Sequence, residues 1–179
     1  MILALAGRRI DAPDTKHRRF PVENTKLVQT RIRTLLEEER PHALVSSAAN
    51  GADLLALEVA GDLAIERQIV LPFPPEIFRA TSVTDRPGEW GERFDRILAD
   101  LGGEEHVICL GYPIKTRAAY VATNRAILER AQLIASREHD TLAAVIIWNG
   151  EPRGEQDETF EFKRAAESAG ILVREVRTL

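Results

Sequence analysis

The sequence predicts a three-layer α/β fold, Rossmann-like and doubly wound, around a mainly parallel sheet of about six strands. Three observations carry this. Short apolar runs alternate with helical patterns along the whole chain. The runs lack the polar alternation of a half-exposed strand, as strands covered on both faces do. One run passes through a glycine turn directly into an alanine-rich helix, the unit from which such sheets are built.

The elements follow in order. Residues 2–6 read as a buried strand, followed by a charged loop over 7–21. A helix over 22–40 places Val28, Ile32, Leu35 and Leu36 on one face. Residues 43–47 form the second strand, 51–66 the second helix and 68–71 the third strand. The connection "PFPPEIFRATSVTDRPG" carries four prolines, which exclude one continuous helix. A helix over 89–101, a strand over 106–110 and a long helix over 118–135 follow. "LAAVIIW", residues 142–148, is the clearest buried strand; a helix over 157–169 and a strand over 171–176 close the chain. In such sheets ligands sit beyond the carboxyl ends of the strands, where the strand order reverses. The loops of interest therefore begin at Gly7, Ser46, Pro72, Gly111 and Trp148.

A chain of 179 residues suits one domain over 1–179. Its formal net charge of −4 disfavours a dedicated non-specific nucleic-acid binder, so a nucleic-acid partner is not expected. The lone cysteine, Cys109, cannot form an internal disulfide and reads as a small core residue in mid-strand. Together with an opening apolar run too short for a signal sequence, this predicts a cytoplasmic protein. No apolar stretch reaches the roughly 18 residues of a membrane span, so no membrane partner is expected.

The loop after the first strand, "GRRIDAPDTKHRRF", is strongly basic within an acidic chain. Arginine forks match phosphate oxygens, and Arg8 and Arg9, next to Gly7, lie nearest the strand end. The pattern contains neither G-x-G-x-x-G nor G-x-x-x-x-G-K-[ST]. In the second loop, "SSAANGAD", Gly51 permits close ligand approach, while Ser46 and Ser47 supply hydroxyls. The helix behind it offers free N–H groups. Asp53 would repel a phosphate there; it reads as a stabiliser of the helix end or, alternatively, as an acceptor for a ribose hydroxyl or a fixer of neighbouring loops. Ala52, Ala56, Ala60 and Ala64 form a ridge that lets this helix lie close to the sheet.

In "LPFPPEIF", Phe73 and Phe78 serve as walls of an apolar pocket or as core. Tyr120 and Asn124 share one helix face, suited to a base or sugar or to bonding each other. Lys115, Arg117 and Arg125 lie nearby as further phosphate contacts. The loop after Trp148 carries Gly150, Gly154 and the acids Glu155, Asp157, Glu158 and Glu161, with Asp157 and Thr159 at a helix start. These acids suit Mg2+ only if a phosphate ligand shares it. A protein-only metal site is not expected, since the four histidines show no ligand spacing.

These loops together resemble the SLOG superfamily of Rossmann-like proteins, in a bacterial-type form. The group is named for the Smf/DprA DNA-processing proteins and the Lonely Guy phosphoribohydrolases. "SSAANGAD" looks like its S-G-x-A-x-G-[AI]-D turn, with Ser47 in place of the glycine. "LPFPPEIF" looks like P-F-P-x-E-x-[FY], Tyr120 and Asn124 match Y-x-x-x-N, and Trp148, Asn149, Gly150, Thr159 and Glu161 match A-x-W-[DN]-G…G-G-T-x-E. The resemblance implies a parallel sheet, a nucleotide-related ligand over its carboxyl edge, and a homodimer as one assembly. The chain departs from P-G-G-x-G-T-x-x-E: Asp157 and Glu158 replace the glycines, and Phe162 stands where the glutamate belongs.

The expected function is therefore binding of a nucleotide or nucleotide-derived ligand, as sensor or carrier. The expected contacts are Gly7, Arg8, Arg9, Ser46, Ser47, Gly51, Asp53, Tyr120, Asn124, Trp148, Gly150 and Thr159. Hydrolysis of an N-glycosidic or phosphoribosyl bond is the alternative, with Glu161 or Asp157 as catalytic candidates. Single-stranded nucleic-acid binding is the third reading.

Overall fold

β1 (Ile2–Gly7) sits inside a six-stranded sheet of order β4-β3-β2-β1-β5-β6, in which every neighbouring pair is parallel. The computed structural model describes residues 1–113, 115–154 and 156–179. From β1 the chain winds outward through β2 (Ala43–Ser46), β3 (Glu66–Leu71) and β4 (Val107–Cys109), then crosses back to β5 (Leu142–Trp148) and β6 (Leu172–Arg177). Strand order reverses at β1, which is where a crevice opens in such sheets.

Strand periodicity divides the core into two halves. Leu3, Leu5, Leu44, Ile69, Leu71, Val145 and Ile147 face one side, against α1 (Thr25–Glu39), α2 (Ala52–Asp62) and α4 (Trp90–Leu101). Ile2, Ala4, Ala6, Val45, Val70, Ala144 and Ile146 face the other, under α5 (Arg117–Glu138) and α6 (Glu158–Ser168). This is the expected three-layer α/β arrangement, and the sheet is wholly parallel. The α1 face is Val28, Ile32 and Leu36, as the spacing predicts.

α2 is apolar nearly all round because sheet, α1 and α4 cover it. Its ridge runs through Ala52, Ala56 and Ala60, each fully buried. It stops short of Ala64, which takes a left-handed conformation at φ 56° and turns the chain into β3 four residues earlier than the helix expected to reach Glu66. In the proline-rich connection, Pro75 opens a short α3 (Pro75–Phe78), where its missing N–H is harmless, and a π-helical turn, Arg79–Val83, follows. Trp90 is buried at the start of α4, with its Nε1–H donating to the Pro87 carbonyl at 3.0 Å. Cys109 is exposed rather than core, because β4 is the sheet's edge and the residue ends it. Among the described residues no helix is long and apolar enough to cross a membrane.

Candidate functional site

Gly7 ends β1 at a point where three elements converge. A Cβ there would lie 2.3 Å from the Ala52 Cβ and 2.9 Å from the Ile147 carbonyl oxygen, so only glycine lets α2 start against the β1–β5 pair. Gly51, at φ 91°, brings its Cα against the next loop; a Cβ would meet the Arg8 carbonyl at 2.7 Å. The Ala52 N–H donates to the Arg8 carbonyl at 3.1 Å, and the Arg8 N–H donates to the Ile147 carbonyl at 2.8 Å. Gly7→Ala is expected to cost about 2 kcal/mol by overpacking a backbone contact, read as a lower denaturant midpoint at unchanged m.

The Arg8 guanidinium is committed to the protein itself. It donates to both oxygens of Asp157, at 2.6 and 2.7 Å, to the Glu151 carbonyl at 2.8 Å, and to Asn149 Oδ1 at 3.2 Å. Both side chains of the pair are buried, at 3% and 0% exposure. Burial pushes the Asp157 carboxyl up, but the Arg8 bonds and the Arg153 N–H more than offset this and hold it below the ordinary carboxylate value. Asp157 also caps α6, accepting from the N–H groups of Thr159 and Phe160. The expected phosphate fork at Arg8 is thus a buried brace between the β1 and β5 loops, with most of its N–H groups engaged.

Asn50 makes a second brace. Its Oδ1 accepts from the Ile10 N–H at 3.1 Å, and its amide donates to the carbonyls of Ser82 and Val83 and to Asp85. Arg9 reaches the same Asp85. The loop after β1, the β2–α2 turn and the π-helical turn are thereby fixed together.

These braces border a cavity of about 410 Å3 over the carboxyl end of β1. Leu5, Ala6, Phe78 and Ile127 give it apolar walls. Ser47, Ser82, Tyr120, Thr123, Asn124 and Thr159 give it polar groups from four different turns and helix starts. Arg9, Arg19, Arg86, Lys115 and Arg153 outnumber Asp11, Asp53 and Glu158 among its charged lining, so the acidity of the chain does not extend to this place. Tyr120 stands edge-on to Phe73 and its hydroxyl shares a 2.9 Å hydrogen bond with Ser82. Asn124 donates to the Glu158 carbonyl at 2.9 Å, so the pair bonds outward rather than to each other.

Asp53 is the cavity's unusual group. It is 6% exposed; one oxygen, Oδ2, accepts from the Ala49 N–H at 3.3 Å, and the other, Oδ1, is buried without a hydrogen-bond partner among the described residues. Burial pushes its carboxyl up to about 7, against the lowering effects of the Ala49 N–H, Arg9 and the Gly7 backbone.

Of the expected contacts, Gly7, Arg8, Arg9, Ser47, Asp53, Tyr120, Asn124 and Thr159 come together around this cavity. Ser46 does not: its hydroxyl is buried and donates to the Leu5 carbonyl at 3.1 Å. Gly51 acts from behind, by holding the turn. Trp148 lies in the core on the other face, stacked on Phe160 and donating to Glu175 at 3.0 Å. Gly150 packs against Arg177, and a Cβ there would meet Nη1 at 1.7 Å.

The catalytic candidates also fall elsewhere. Asp157 is held by Arg8, while Glu161 pairs with Arg117 and does not line the cavity. Glu158 faces Arg153 at 2.7 Å, and Glu155 lies outside the described residues. Each described carboxylate of this loop that was read as a magnesium ligand therefore already faces a guanidinium. Arg125 pairs with Glu129 on the solvent side of α5. Apart from this region, His42, Glu138 and Asp140 bring possible ligand atoms together, but the N-terminal ammonium occupies Asp140 and holds its carboxyl down at about 2.

Ser82, Thr123, Arg19, Arg86 and Arg153 were not among the contacts expected from the sequence. Thr123 had a local signal, one residue before Asn124. Ser82 reaches the cavity only through the π-helical turn.

No protein-family model and no curated protein matches the sequence. A solved structure to which the chain is similar is DNA processing protein A (DprA) from Streptococcus pneumoniae, at a TM-score of 0.44 and 16% sequence identity. The match covers 96% of this chain and 57% of that one, so the chain spans little more than half the neighbour's length.

Proposed function

We propose that this chain binds a nucleotide or nucleotide-derived ligand over the carboxyl end of β1, as a sensor or carrier of the SLOG type. The observation that carries the reading is the cavity of about 410 Å3, with apolar walls, converging hydroxyl and amide groups, and a cationic lining. Its volume lies within the range of small-ligand pockets, about 300–1,000 Å3. Phe78 and Ile127 suit a base or sugar face. Arg9, Arg86 and Lys115 suit phosphate, each by charge and none by a preformed fork as buried as that of Arg8.

Binding is preferred to hydrolysis because Asp157 is tied to Arg8 and Glu161 to Arg117, and neither carboxylate lines the cavity. The test uses AMP, ADP-ribose, NAD and cyclic nucleotides, with melting and release of free base as readouts. A ligand at a hundred times its Kd adds about 2.7 kcal/mol, a rise of roughly 5–10 °C for a chain of this size. A shift without base release supports the carrier reading, and base release supports the hydrolase. No shift with any of them sinks both.

Single-stranded nucleic acid is the second reading, favoured by the same cationic lining. It predicts binding whose logarithm falls steeply with salt, with a slope of about −0.7 per phosphate neutralised.

A further inference from the structure

We infer that Asp53 is the cavity's hydroxyl reader: its unpartnered Oδ1 accepts a hydrogen bond from a sugar hydroxyl of the bound nucleotide and so fixes which way round the ligand lies. This rests on the nucleotide reading above and adds to it the class of group recognised and the ligand's orientation.

Four observations converge. Asp53 lines the cavity and is 6% exposed. Its Oδ2 is used by the Ala49 N–H, which orients the carboxyl, while Oδ1, near the Gly7 backbone, makes no hydrogen bond among the described residues. Buried polar atoms are satisfied in the great majority of cases, and an orphan of this kind asks for a donor. Above about pH 7, where Asp53 is ionised, the carboxylate only accepts, so the ligand must present an O–H or N–H there, and a phosphate cannot take that place. The residue lies in the first turn of α2, an 11-residue helix whose start would otherwise be the natural phosphate seat. Above about pH 7 the negative group placed there drives phosphate toward Arg9 and Arg86 and leaves the hydroxyl-bearing sugar for α2. Helix capping does not account for the carboxyl, because the N-cap residue is Gly51 and makes no side-chain cap bond.

The experiment is a cycle of titrations by calorimetry at about pH 8.5, where Asp53 is ionised, with AMP, 2′-deoxy-AMP and 3′-deoxy-AMP against the wild type and Asp53→Asn. One of the two deoxy compounds is expected to bind the wild type about 10- to 100-fold more weakly than AMP, the range for a hydrogen bond to a charged group. The same compound and AMP should bind Asp53→Asn within about 3-fold of each other, since the coupling is then gone. Equal binding of all three nucleotides by the wild type overturns the inference and leaves the nucleotide reading standing. So does an equal hydroxyl penalty in both proteins. Tighter AMP binding by Asp53→Asn with no hydroxyl penalty in the wild type also overturns it, since Asp53 is then only an obstacle to phosphate. Failure of any adenine nucleotide to bind the folded wild type removes both.

Discussion

Arg8→Ala is expected to destabilise the protein by about 3–5 kcal/mol, the cost of leaving a buried charge without its partner. The Asp157 side chain has no exposed surface, and of its five hydrogen bonds the three from the N–H groups of Arg153, Thr159 and Phe160 would remain, too few to replace a bidentate guanidinium. At about 2–4 °C per kcal/mol, melting should fall by roughly 10 °C or more. Arg8→Met with Asp157→Asn removes both charges and keeps an acceptor at the α6 cap, so it should recover most of the loss. The pair also sets an acid-side dependence. The Asp157 carboxyl is lowered in the folded protein, so its contribution is present above the ordinary 3.8 and is lost as pH falls through the lowered value. Arg8→Ala should flatten that acid limb. A variant that melts within about 2 °C of wild type yet no longer binds nucleotide would overturn the brace and return Arg8 to the ligand.

The contrast between the legible and illegible parts of the molecule follows from range. Strands such as Leu142–Trp148 were readable because burial on both faces writes a continuous apolar run into the chain. Gly51 was readable because a left-handed turn restricts the residue locally. The role of Arg8 was not, because its partner lies 149 residues away and a basic loop looks the same whether it meets a phosphate or an aspartate. Cys109 sits in an apolar run like any core strand, yet β4 has a neighbour on one side only. Trp148 and Ser46 were misplaced for a related reason: each ends a strand at the correct edge, but the pleat sends one side chain to the α5–α6 face and the other back onto β1. Asp53 was ambiguous because a first-turn aspartate suits any helix. Its burial depends on the loop after β1, where Gly7 and Arg9 lie against it from more than 40 residues away in sequence.

Asp53→Asn should stabilise the folded protein by about 4 kcal/mol at pH 8, an effect that fades toward pH 4. The carboxyl rises from 3.8 to about 7 on folding. Between those values the folded protein holds a proton that the unfolded chain has released, so stability falls as pH rises from about 4 to about 7 and is level above it. Each unit corresponds to about 1.4 kcal/mol, and the group is almost wholly buried, so solvent relieves little of it. Asparagine carries no charge to desolvate, and its Oδ1 can keep the bond from the Ala49 N–H. Denaturant titrations of both proteins at pH 5 and pH 8 give the difference directly: the gain at pH 8 should exceed that at pH 5 by about 2–3 kcal/mol. An unchanged or lower midpoint at pH 8 would mean that the carboxylate is satisfied in the folded protein by a group on the chain itself. A costly acid retained where a neutral isostere is more stable is what a binding site shows when its chemistry is set by the ligand, since sites of this kind give up stability to keep an unfilled acceptor ready. The stabilised variant thus doubles as the control for hydroxyl recognition: it is folded, and it lacks the charge and, with its Oδ1 held by the Ala49 N–H, the open acceptor.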